Sequence, residues 1–292
     1  MHIMVVNCGS SSLKFQLIRL PQETVVAKGT IERIGQKVKA QFLYATATRN
    51  YTAKPLTARN HTEAIGFVIE ALTSGETAVL TRPDQIKAFG HRVVHGGEQF
   101  TKSVMITEDV ERCIEACCPL APLHNPANLA GIRACRTILP SAPNIAVFDT
   151  AFHQTMPAYA FHYAIPYEFY EHQRIRRYGF HGTSHQYVTR AFAAATDRTV
   201  EQVSVVTVHL GNGSSLTAVH NGHSIDTTMG FTPLQGVIMG TRSGDIDPGV
   251  IFHLMNNDGM SPDDLNTLLN KKSGLLGFSG LSSDMRDVLA AA

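Results

Sequence analysis

A pattern of three short strands joined by tight turns occurs twice in this chain, and this repeat limits the possible folds more than any other feature. The first copy covers residues 3–31, where apolar and polar residues alternate as they do in half-buried strands. The second copy covers residues 203–228 and contains Asn221-Gly222, a strong signal for a hairpin turn. The turns after the first strands resemble each other in sequence: Gly9-Ser10-Ser11-Ser12-Leu13 and Gly213-Ser214-Ser215-Leu216. We interpret the two copies as a duplicated unit; the alternative is a chance match between two common turn sequences.

Helical periodicity and capping residues predict helices between the strands. Strands are also predicted at Ile86–Phe89 and Ile145–Phe148, so the first half reads β-β-β-α-β-α-α-β. This order predicts an α/β fold in which helices cover a mixed sheet. Two domains are expected, residues 1–150 and residues 151–292, with residues 151–202 as a connection and with the later part of the second domain missing. The predicted helices are His61–Thr73, Glu108–Cys118 with Thr107 as its cap, a helix that starts at Asn125-Pro126 with Asn125 as its cap, Thr183–Ala195 with a Thr cap, Pro248–Asn256 and Pro262–Lys271.

Composition and charge exclude several classes of protein. Hydrophobic residues make up 43% of the 292 residues and charged residues 17%, which is incompatible with an intrinsically disordered chain. The net charge of +1 gives no basis for bulk electrostatic binding to nucleic acid or to an anionic membrane. No apolar run approaches the ~18 residues of a membrane span, and the five cysteines show no disulfide pattern. We therefore expect a cytoplasmic protein that binds neither nucleic acid nor membranes.

The two Gly-Ser turns are the first candidates for a ligand site. Small residues between two strands allow backbone N–H groups to approach an anion, and serine hydroxyls add further donors. Asn7 precedes the first turn, Lys14 follows it, and Asn212 lies within the second. Two such turns could hold a polyphosphate, and the alternative is two ordinary hairpin turns. No Gly-x-x-x-x-Gly-Lys-Ser/Thr loop occurs and no Gly-x-Gly-x-x-Gly follows a strand, so a nucleotide site requires another architecture.

Two arginines and one aspartate stand where chemistry is expected. Arg92 follows a predicted strand between glycines, and Arg242 lies in a polar loop bounded by glycines. Guanidinium groups in such places can bind an oxyanion in a bidentate manner, while an exposed loop arginine is the alternative. Asp149 follows a buried strand, and the carboxyl ends of strands are where open α/β folds keep their chemistry. A structural turn or cap is the alternative role for Asp149.

Three histidines complete the set of candidates. His124 and His181 each precede a predicted helix, and a helix N-terminus favours anions. A structural role is the alternative for both. His209 lies beside the second Gly-Ser turn. His91 and His95 are four residues apart, but they fall in a strand and a loop, where this spacing does not bring metal ligands together, so we exclude zinc there.

The strings that contain these residues resemble the signatures of the acetate kinase family. Val5-Val6-Asn7-Cys8-Gly9-Ser10-Ser11-Ser12-Leu13-Lys14 resembles the first signature, and Tyr178–His185 resembles the second. Further strings match the family pattern in order: Gly90–Glu98, Pro122–Asn125, Val147–Phe152, His209–Ser215 and Gly240–Gly249. The resemblance covers essentially the whole chain. It implies the duplicated actin/hexokinase/Hsp70-like (ribonuclease H-like) fold of two domains, with the second domain incomplete.

The resemblance also implies roles for individual residues. Arg92 and Arg242 would be the anion clamps, Asp149 a catalytic carboxylate, and His181 a stabiliser of the transition state, while His124 is a further candidate for stabilisation or for a structural role. Asn7 would be associated with the metal. Ser10, Ser12 and Lys14 would form the first phosphate turn, and His209, Asn212 and Gly213 would contact the nucleotide phosphates. The pocket for the methyl group of acetate would be formed by Val94, Leu123, Phe180 and Pro233, with Arg92 as a further substrate ligand.

The implied reaction is the reversible transfer of a phosphoryl group between ATP and acetate, with Mg²⁺, giving ADP and acetyl phosphate. Because acetate is ionised at pH 7, it needs no general base. We therefore expect Asp149 to position Mg²⁺ or an arginine. The resemblance implies a homodimer for the full-length protein, and the family's adenosine-binding segment and metal-associated Glu are not found in this chain. The alternatives are a propionate or other short-chain acyl kinase, an inactive anion-binding fragment, and a polyphosphate or sugar kinase of the same superfold.

Overall fold

The computed structural model describes the backbone of residues 1–292 and the side chains of residues 1–51 and 54–292. The chain forms two compact units, Met1–Ala151 and Phe152–Ala292. Both units combine strands with helices, which confirms the expected α/β class. Among the described residues, every helix is too short or too polar to cross a lipid bilayer.

The first unit is built on an eight-stranded sheet. In chain order from β1 to β8, the strands are His2–Gly9, Ser12–Arg19, Thr24–Glu32, Ala40–Thr46, Asn50–Leu56, Ile86–Val93, Val104–Met105 and Asn144–Phe148. Their order in the sheet is β5-β4-β3-β2-β1-β6-β8-β7. β1 pairs antiparallel with β2 and parallel with β6, and β6 pairs parallel with β8. Because parallel strands end at the same edge of a sheet, the carboxyl ends of β1, β6 and β8 lie side by side.

The two faces of this sheet differ. In β1, the apolar side chains Met4, Val6 and Cys8 are buried, whereas Val5 and Asn7 point to the opposite face and are more accessible. Three helices follow in the chain: α1 (His61–Thr73), α2 (Glu108–Ala116) and α3 (Asn125–Ile138). Side chains of α1 and α3 share one apolar core with the buried face of β1. The opposite face of the sheet is therefore available to carry polar groups.

The helix boundaries follow from local chemistry. The Asn60 side chain caps α1 by accepting a hydrogen bond from the backbone N–H of Glu63 at 2.9 Å. Thr107 caps α2 in the same way, as predicted. Gly131 lets α3 approach β1 closely, because a Cβ at this position would overlap with Sγ of Cys8.

The second unit contains a small antiparallel sheet and seven helices. The strands are β9 (Val205–Leu210), β10 (Ser214–His220) and β11 (His223–Thr227), in the order β11-β10-β9. Asn221 and Gly222 join β10 to β11 with φ angles of 50° and 77°, the left-handed values that an Asn-Gly hairpin turn requires. From α4 to α10, the helices are Ala158–Phe161, Glu168–Gln173, Gly182–Ala195, Pro248–Asn257, Pro262–Lys271, Gly274–Ser279 and Met285–Ala290.

Each unit contains the expected strand–turn–strand–turn–strand arrangement, but the matching letters occupy different places in it. In the first unit the turn is Ser10-Ser11, and it lies between the paired residues Gly9 and Ser12. In the second unit the turn is residues 211–213, between the paired ends of β9 and β10. Gly9 therefore ends a strand, whereas Gly213 belongs to a turn. The architecture is repeated without a residue-by-residue match between the two turns.

Two helix starts differ from the prediction. The helix expected from Thr183 begins at Gly182, and His181, not a threonine, occupies the capping position. The helix expected to have Asn125 as its cap has Asn125 as its first residue and His124 as its cap. Asn125 cannot cap because its buried side chain is bonded to another segment. The sequence also failed to predict β4, β5, β7 and the short helices α4, α5, α9 and α10.

Candidate active site

Three polar side chains share one face of the first unit's sheet, where neighbouring parallel strands end. The registers of β1 with β6 and of β6 with β8 put Asn7, Arg92 and Val147 on this face. Asp149 follows two residues after Val147, and its backbone N–H continues the ladder by donating to the carbonyl oxygen of Val93 at 3.0 Å. Parallel pairing thus joins residues that are far apart in the sequence.

Arg92 and Asp149 form a two-pronged ion pair. Nε of Arg92 donates to both carboxylate oxygens, at 3.0 and 3.1 Å, and Nη2 donates to Oδ2 at 2.5 Å. Asp149 is 2% exposed, whereas the side chain of Arg92 is 40% exposed. The negative charge of Asp149 raises the pKa of Arg92 above its ordinary value, although burial opposes this. The buried carboxylate therefore holds the guanidinium in one orientation while part of the guanidinium stays accessible.

Two buried asparagines of α3 hold the strand ends that carry this pair. Nδ2 of Asn128 donates to the carbonyl oxygen of Cys8 at 2.8 Å, and Oδ1 accepts from the backbone N–H of Val94 at 3.1 Å. Asn125 binds both the backbone N–H and the carbonyl oxygen of His95, at 3.0 and 2.9 Å. Sequence reasoning missed both asparagines as positioning groups. The signal that could have indicated them is a pair of asparagines one turn apart at the start of an apolar helix.

The first Gly-Ser turn lies at the same edge of the sheet. Ser10 is exposed and Ser12 is half-buried. Nε2 of His61, at the start of α1, lies 2.9 Å from the carbonyl oxygen of Gly9. This contact fixes the end of β1, from which the turn leads away, so both serine hydroxyls are carried on an anchored segment.

Asn7 and Lys14 lie opposite each other on β1 and β2. Both line a cavity of about 630 Å³ on the more open face of the sheet. In the described part of the chain, no three His, Cys, Asp or Glu side chains cluster as metal ligands. Mg²⁺ commonly takes only one or two protein ligands, and substrate phosphates and water supply the rest. The amide oxygen of Asn7 and the carboxylate of Asp149, on one face of the sheet, are oxygen ligands of the kind that Mg²⁺ takes.

The other predicted residues of the first unit differ in exposure. Val94 is buried directly after β6, whereas Leu123 is exposed. His124 takes the capping position of α3 with φ and ψ of −128° and −57°, and its side chain makes no capping hydrogen bond.

In the second unit, His181 and Arg242 converge on Gly213. A Cβ placed on Gly213 would lie 3.1 Å from Nη1 of Arg242 and 3.4 Å from Nε2 of His181. Glycine thus leaves space that both nitrogen atoms can reach. His181 adopts a left-handed conformation, with φ of 58°, at the N-terminus of α6. A guanidinium and an imidazole beside a helix N-terminus favour a bound anion.

The short helix α9 fixes the loop that carries Arg242. Backbone N–H groups at the start of α9 donate to the carbonyl oxygens of Met239 and Gly240 at 2.8 and 3.0 Å. Nη1 of Arg242 donates to the carbonyl oxygen of Pro233 at 3.0 Å. The structure therefore brings two predicted site residues, Arg242 and Pro233, into contact.

Four histidines lie close together in this unit. The rings of His181 and His209 stack with their centroids 4.0 Å apart, and Nδ1 of His209 lies 2.9 Å from Oγ of Ser184. His185 is 1% exposed, and burial, with smaller effects of His153 and His209, lowers its pKa to about 3. His185 is therefore neutral at physiological pH. Sequence reasoning did not single out His185 or His153.

The remaining predicted residues of the second unit are Asn212 and Phe180. Asn212 is exposed, and its carbonyl oxygen accepts from the backbone N–H of Gly240 at 3.1 Å, which ties the turn to the loop of Arg242. The side chain of Phe180 is buried, and its carbonyl oxygen lies 2.9 Å from Nε2 of His153.

Comparison with known proteins decides the family. A model of the acetokinase family matches residues 2–292. The chain belongs to the acetokinase family. The acetate kinase of Clostridium acetobutylicum is 53% identical over 285 residues, which are 98% of this chain and 71% of that protein. The acetate kinase of Caldanaerobacter subterraneus subsp. tengcongensis is 54% identical over 293 residues and is covered to 73%.

Solved structures of an acetate kinase and of a propionate kinase have the same fold. The crystal structure of Porphyromonas gingivalis acetate kinase matches 99% of this chain with a TM-score of 0.94 and 42% identity, and 72% of that chain is covered. A propionate kinase from Francisella tularensis matches with a TM-score of 0.92 and 46% identity, and 73% of it is covered. These matches confirm the family resemblance and the two-domain kinase fold that it implies.

Proposed function

We propose that this member of the acetokinase family transfers a phosphoryl group reversibly between ATP and acetate, giving ADP and acetyl phosphate. The observation that carries the proposal is the convergence of Arg242 and His181 on Gly213, because it offers two nitrogen donors to an oxyanion beside a helix N-terminus. The choice of acetate is supported by the identity of 53% and 54% to two acetate kinases.

The acceptor chemistry needs charge neutralisation more than proton transfer. A carboxylate oxygen of acetate attacks the γ-phosphorus, the bond from phosphorus to the bridging oxygen breaks, and ADP leaves with that electron pair. Both reactants are anions, so a guanidinium that faces them lowers their repulsion. Arg92 serves this purpose for acetate. Asp149 orients Arg92, since both carboxylate oxygens accept hydrogen bonds from this guanidinium.

The residues around the second Gly-Ser turn act on the transferred group. Arg242 and His181 stabilise the negative charge on the equatorial phosphoryl oxygens. His209 and Asn212 bind the nucleotide phosphates together with the backbone of Gly213. This assignment is supported by the stacking of His209 on His181 and by the bond that joins the Asn212 carbonyl to the loop of Arg242.

The first turn and four apolar side chains complete the proposed set. Ser10 and Ser12 donate to phosphate oxygens, and Lys14 adds a positive charge at the same edge of the sheet. The apolar side chains assigned to binding the methyl group of acetate are Val94 and Leu123 in the first unit and Phe180 and Pro233 in the second. His124, at the N-terminus of α3, is a further group that stabilises the transition state.

Asn7 and Asp149 would hold Mg²⁺ together with the nucleotide phosphates. When bound, the ion neutralises phosphate charge and orients the phosphoryl group. The contribution of the chain is to place an amide oxygen and a buried carboxylate on one face of the sheet. Arg92 also donates hydrogen bonds to the carboxylate of Asp149 and so keeps that carboxylate in position.

The proposal is tested by incubating the chain with ATP, Mg²⁺ and acetate and trapping acetyl phosphate with hydroxylamine. We expect acetate-dependent product and a loss of about 10²-fold or more in kcat for Asp149→Asn, because Arg92 loses its anionic partner. Arg59→Lys, in an exposed ion pair with Glu63, is the matched control and should keep its activity. ATP consumption that does not depend on acetate would contradict the proposal, as would the absence of product despite binding of ATP.

Propionate kinase activity is a second candidate, and the match to the propionate kinase of Francisella tularensis supports it. The two acids differ by one methylene, which is worth only ~1–3 kcal/mol in an apolar pocket. The ratio of kcat/KM for acetate to that for propionate decides between them. A ratio below one would make propionate the preferred substrate.

On the basis of the family resemblance, we also propose that the full-length protein assembles as a homodimer and that it is located in the cytoplasm. Light scattering of the purified full-length protein measures the first property, and cell fractionation measures the second. A monomeric mass at micromolar concentration would contradict the dimer, and recovery in a membrane fraction would contradict the location.

A further inference from the structure

A chain of hydrogen bonds runs through the second unit to His181. Oγ of Ser215 lies 2.9 Å from Nδ1 of His181 and 2.8 Å from Nε2 of His185. Nδ1 of His185 lies 2.8 Å from Oγ1 of Thr207, and this hydroxyl lies 3.5 Å from the carbonyl oxygen of Thr217. Ser215, His185 and Thr207 are all buried, so bulk water does not compete for these bonds.

The direction of each bond follows from the number of protons available. His185 is neutral at physiological pH, so its ring carries one N–H. We assign the Thr207 hydroxyl as the donor to the Thr217 carbonyl oxygen 3.5 Å away, so that Thr207 accepts from Nδ1–H of His185. Nε2 of His185 then accepts from the hydroxyl of Ser215. Because the Ser215 hydroxyl donates its single proton to His185, it accepts a hydrogen bond from Nδ1–H of His181.

We propose that Ser215, supported by His185 and Thr207, is a positioning residue that keeps Nδ1 of His181 protonated. Nε2 is then the nitrogen of His181 at which a proton is gained or lost, and this atom faces Gly213 and Arg242. A hydrogen bond from Nε2 to a phosphoryl oxygen therefore requires the imidazolium form of His181. The kinetic part of this inference rests on the proposed function, whereas the tautomer can be measured without catalysis.

The backbone of His181 is held by different contacts. Nε2–H of the buried His153 donates to the carbonyl oxygen of Phe180 at 2.9 Å, and Nδ1 of His153 accepts from the hydroxyl of Ser224 at 2.9 Å. The peptide group that precedes His181 is thus fixed independently of Ser215. Removal of the Ser215 hydroxyl should change the protonation pattern of the His181 ring more than its position.

Nuclear magnetic resonance of protein labelled with ¹⁵N-histidine tests the tautomer directly. At a pH where His181 is neutral, we expect the proton on Nδ1 in the wild type and mainly on Nε2 in Ser215→Ala. His181→Gln identifies the signal by its disappearance. Ser204→Ala is the matched control, since it removes an exposed hydroxyl 3.1 Å from Nδ1 of His220, and it should leave His181 unchanged. A His181 tautomer that is the same in Ser215→Ala and the wild type would overturn the proposal.

Steady-state kinetics give the functional readout. We expect kcat of Ser215→Ala to fall about 10- to 100-fold, as for other groups that orient a reactive side chain, with the KM for acetate unchanged. Ser215→Thr keeps the hydroxyl and should recover most of kcat. A Ser215→Ala enzyme with the wild-type kcat would contradict the role. A wild type that makes no acetyl phosphate would refute the proposed function and leave the tautomer result standing.

Thr207→Val provides a second test if Ser215→Ala does not fold. Without the Thr207 hydroxyl, His185 has no acceptor at Nδ1 and should carry its proton on Nε2. Ser215 then accepts from His185 and donates to Nδ1 of His181, so neutral His181 should carry its proton on Nε2. A proton that stays on Nδ1 of His181 in Thr207→Val would overturn the assigned direction of the chain.

Discussion

His91 makes the first unit sensitive to acid. It lies in β6 next to Arg92, is 2% exposed, and its Nε2 lies 2.7 Å from Oδ1 of Asn144. Since Oδ1 can only accept, Nε2 carries a proton and donates it. Burial lowers the pKa of His91 to about 4, and the bond to Asn144 only partly offsets this. The folded unit therefore holds His91 neutral at a pH where the unfolded chain would protonate it.

The size of the effect follows from linkage between protonation and folding. With pKa values of 6.5 unfolded and about 4 folded, the unfolded state binds more protons between these limits, so stability falls as the pH falls. Between pH 7.5 and pH 5, this one group should lower the free energy of unfolding by about 2 kcal/mol. Below pH 4 both states are protonated, and the loss from this group becomes constant.

Urea unfolding at pH 7.5 and pH 5 measures this loss in the wild type and in His91→Gln. All five cysteines lie in the first unit, and Cys8 and Cys135 are buried, so reaction of their thiols reports unfolding of this unit. We expect the wild type to lose about 2 kcal/mol more than His91→Gln between the two pH values. His253→Gln, at an exposed position of α7, should behave like the wild type. Equal pH dependence in the wild type and His91→Gln would refute the reasoning.

Three further predictions concern packing, charge and specificity. Gly131→Ala should destabilise the first unit by about 1–3 kcal/mol because the new Cβ overlaps with Cys8, and Cys8→Ala in the same chain should recover part of the loss in urea unfolding. Arg92→Lys should lower kcat about 10²-fold in the hydroxylamine assay, since an ammonium group cannot bind Asp149 and acetate with a planar fork; near-normal kcat would contradict the clamp. Val94→Ala should raise kcat/KM for propionate about tenfold relative to acetate, and an unchanged ratio would remove Val94 from the methyl pocket.

Local patterns predicted the repeated strands well, because each alternates apolar and polar residues and ends in a turn. They failed for the hairpin of β4 and β5. Phe42 and Tyr44 of β4 pack near Phe15 of β2, with ring centroids 6.4 and 6.2 Å from that ring. This strand is stabilised by neighbours that are distant in the sequence, so the short stretch of sequence around β4 does not contain the residues that stabilise it.

The site residues that were predicted stand at the ends of strands and helices, where glycines and caps mark them. The sequence pointed to Arg92 and Asp149 separately, but their ion pair depends on the parallel pairing of β6 with β8. The partners that hold the site lay outside the prediction for the same reason. Asn128 joins the ends of two strands, and neither contact lies within a local window of sequence.

The inner face of the second unit's sheet explains why its positioning residues were overlooked. Whereas β1 and β2 bury apolar side chains such as Met4, Val6 and Leu13, the sheet of the second unit buries hydroxyl groups: Thr207, Ser215, Thr217, Ser224 and Thr227. A buried hydroxyl without a partner costs about 1–3 kcal/mol, so such a layer persists only where each group is bonded. The hydroxyl groups of Thr217 and Thr227 are hydrogen-bonded to each other at 2.9 Å. Histidines are the hydrogen-bond partners of Thr207, Ser215 and Ser224. The duplicated architecture therefore has an apolar interior in one unit and a hydroxyl layer in the other. That layer orients His153, His181 and His185, so the chemistry of the site accounts for these polar side chains better than packing does.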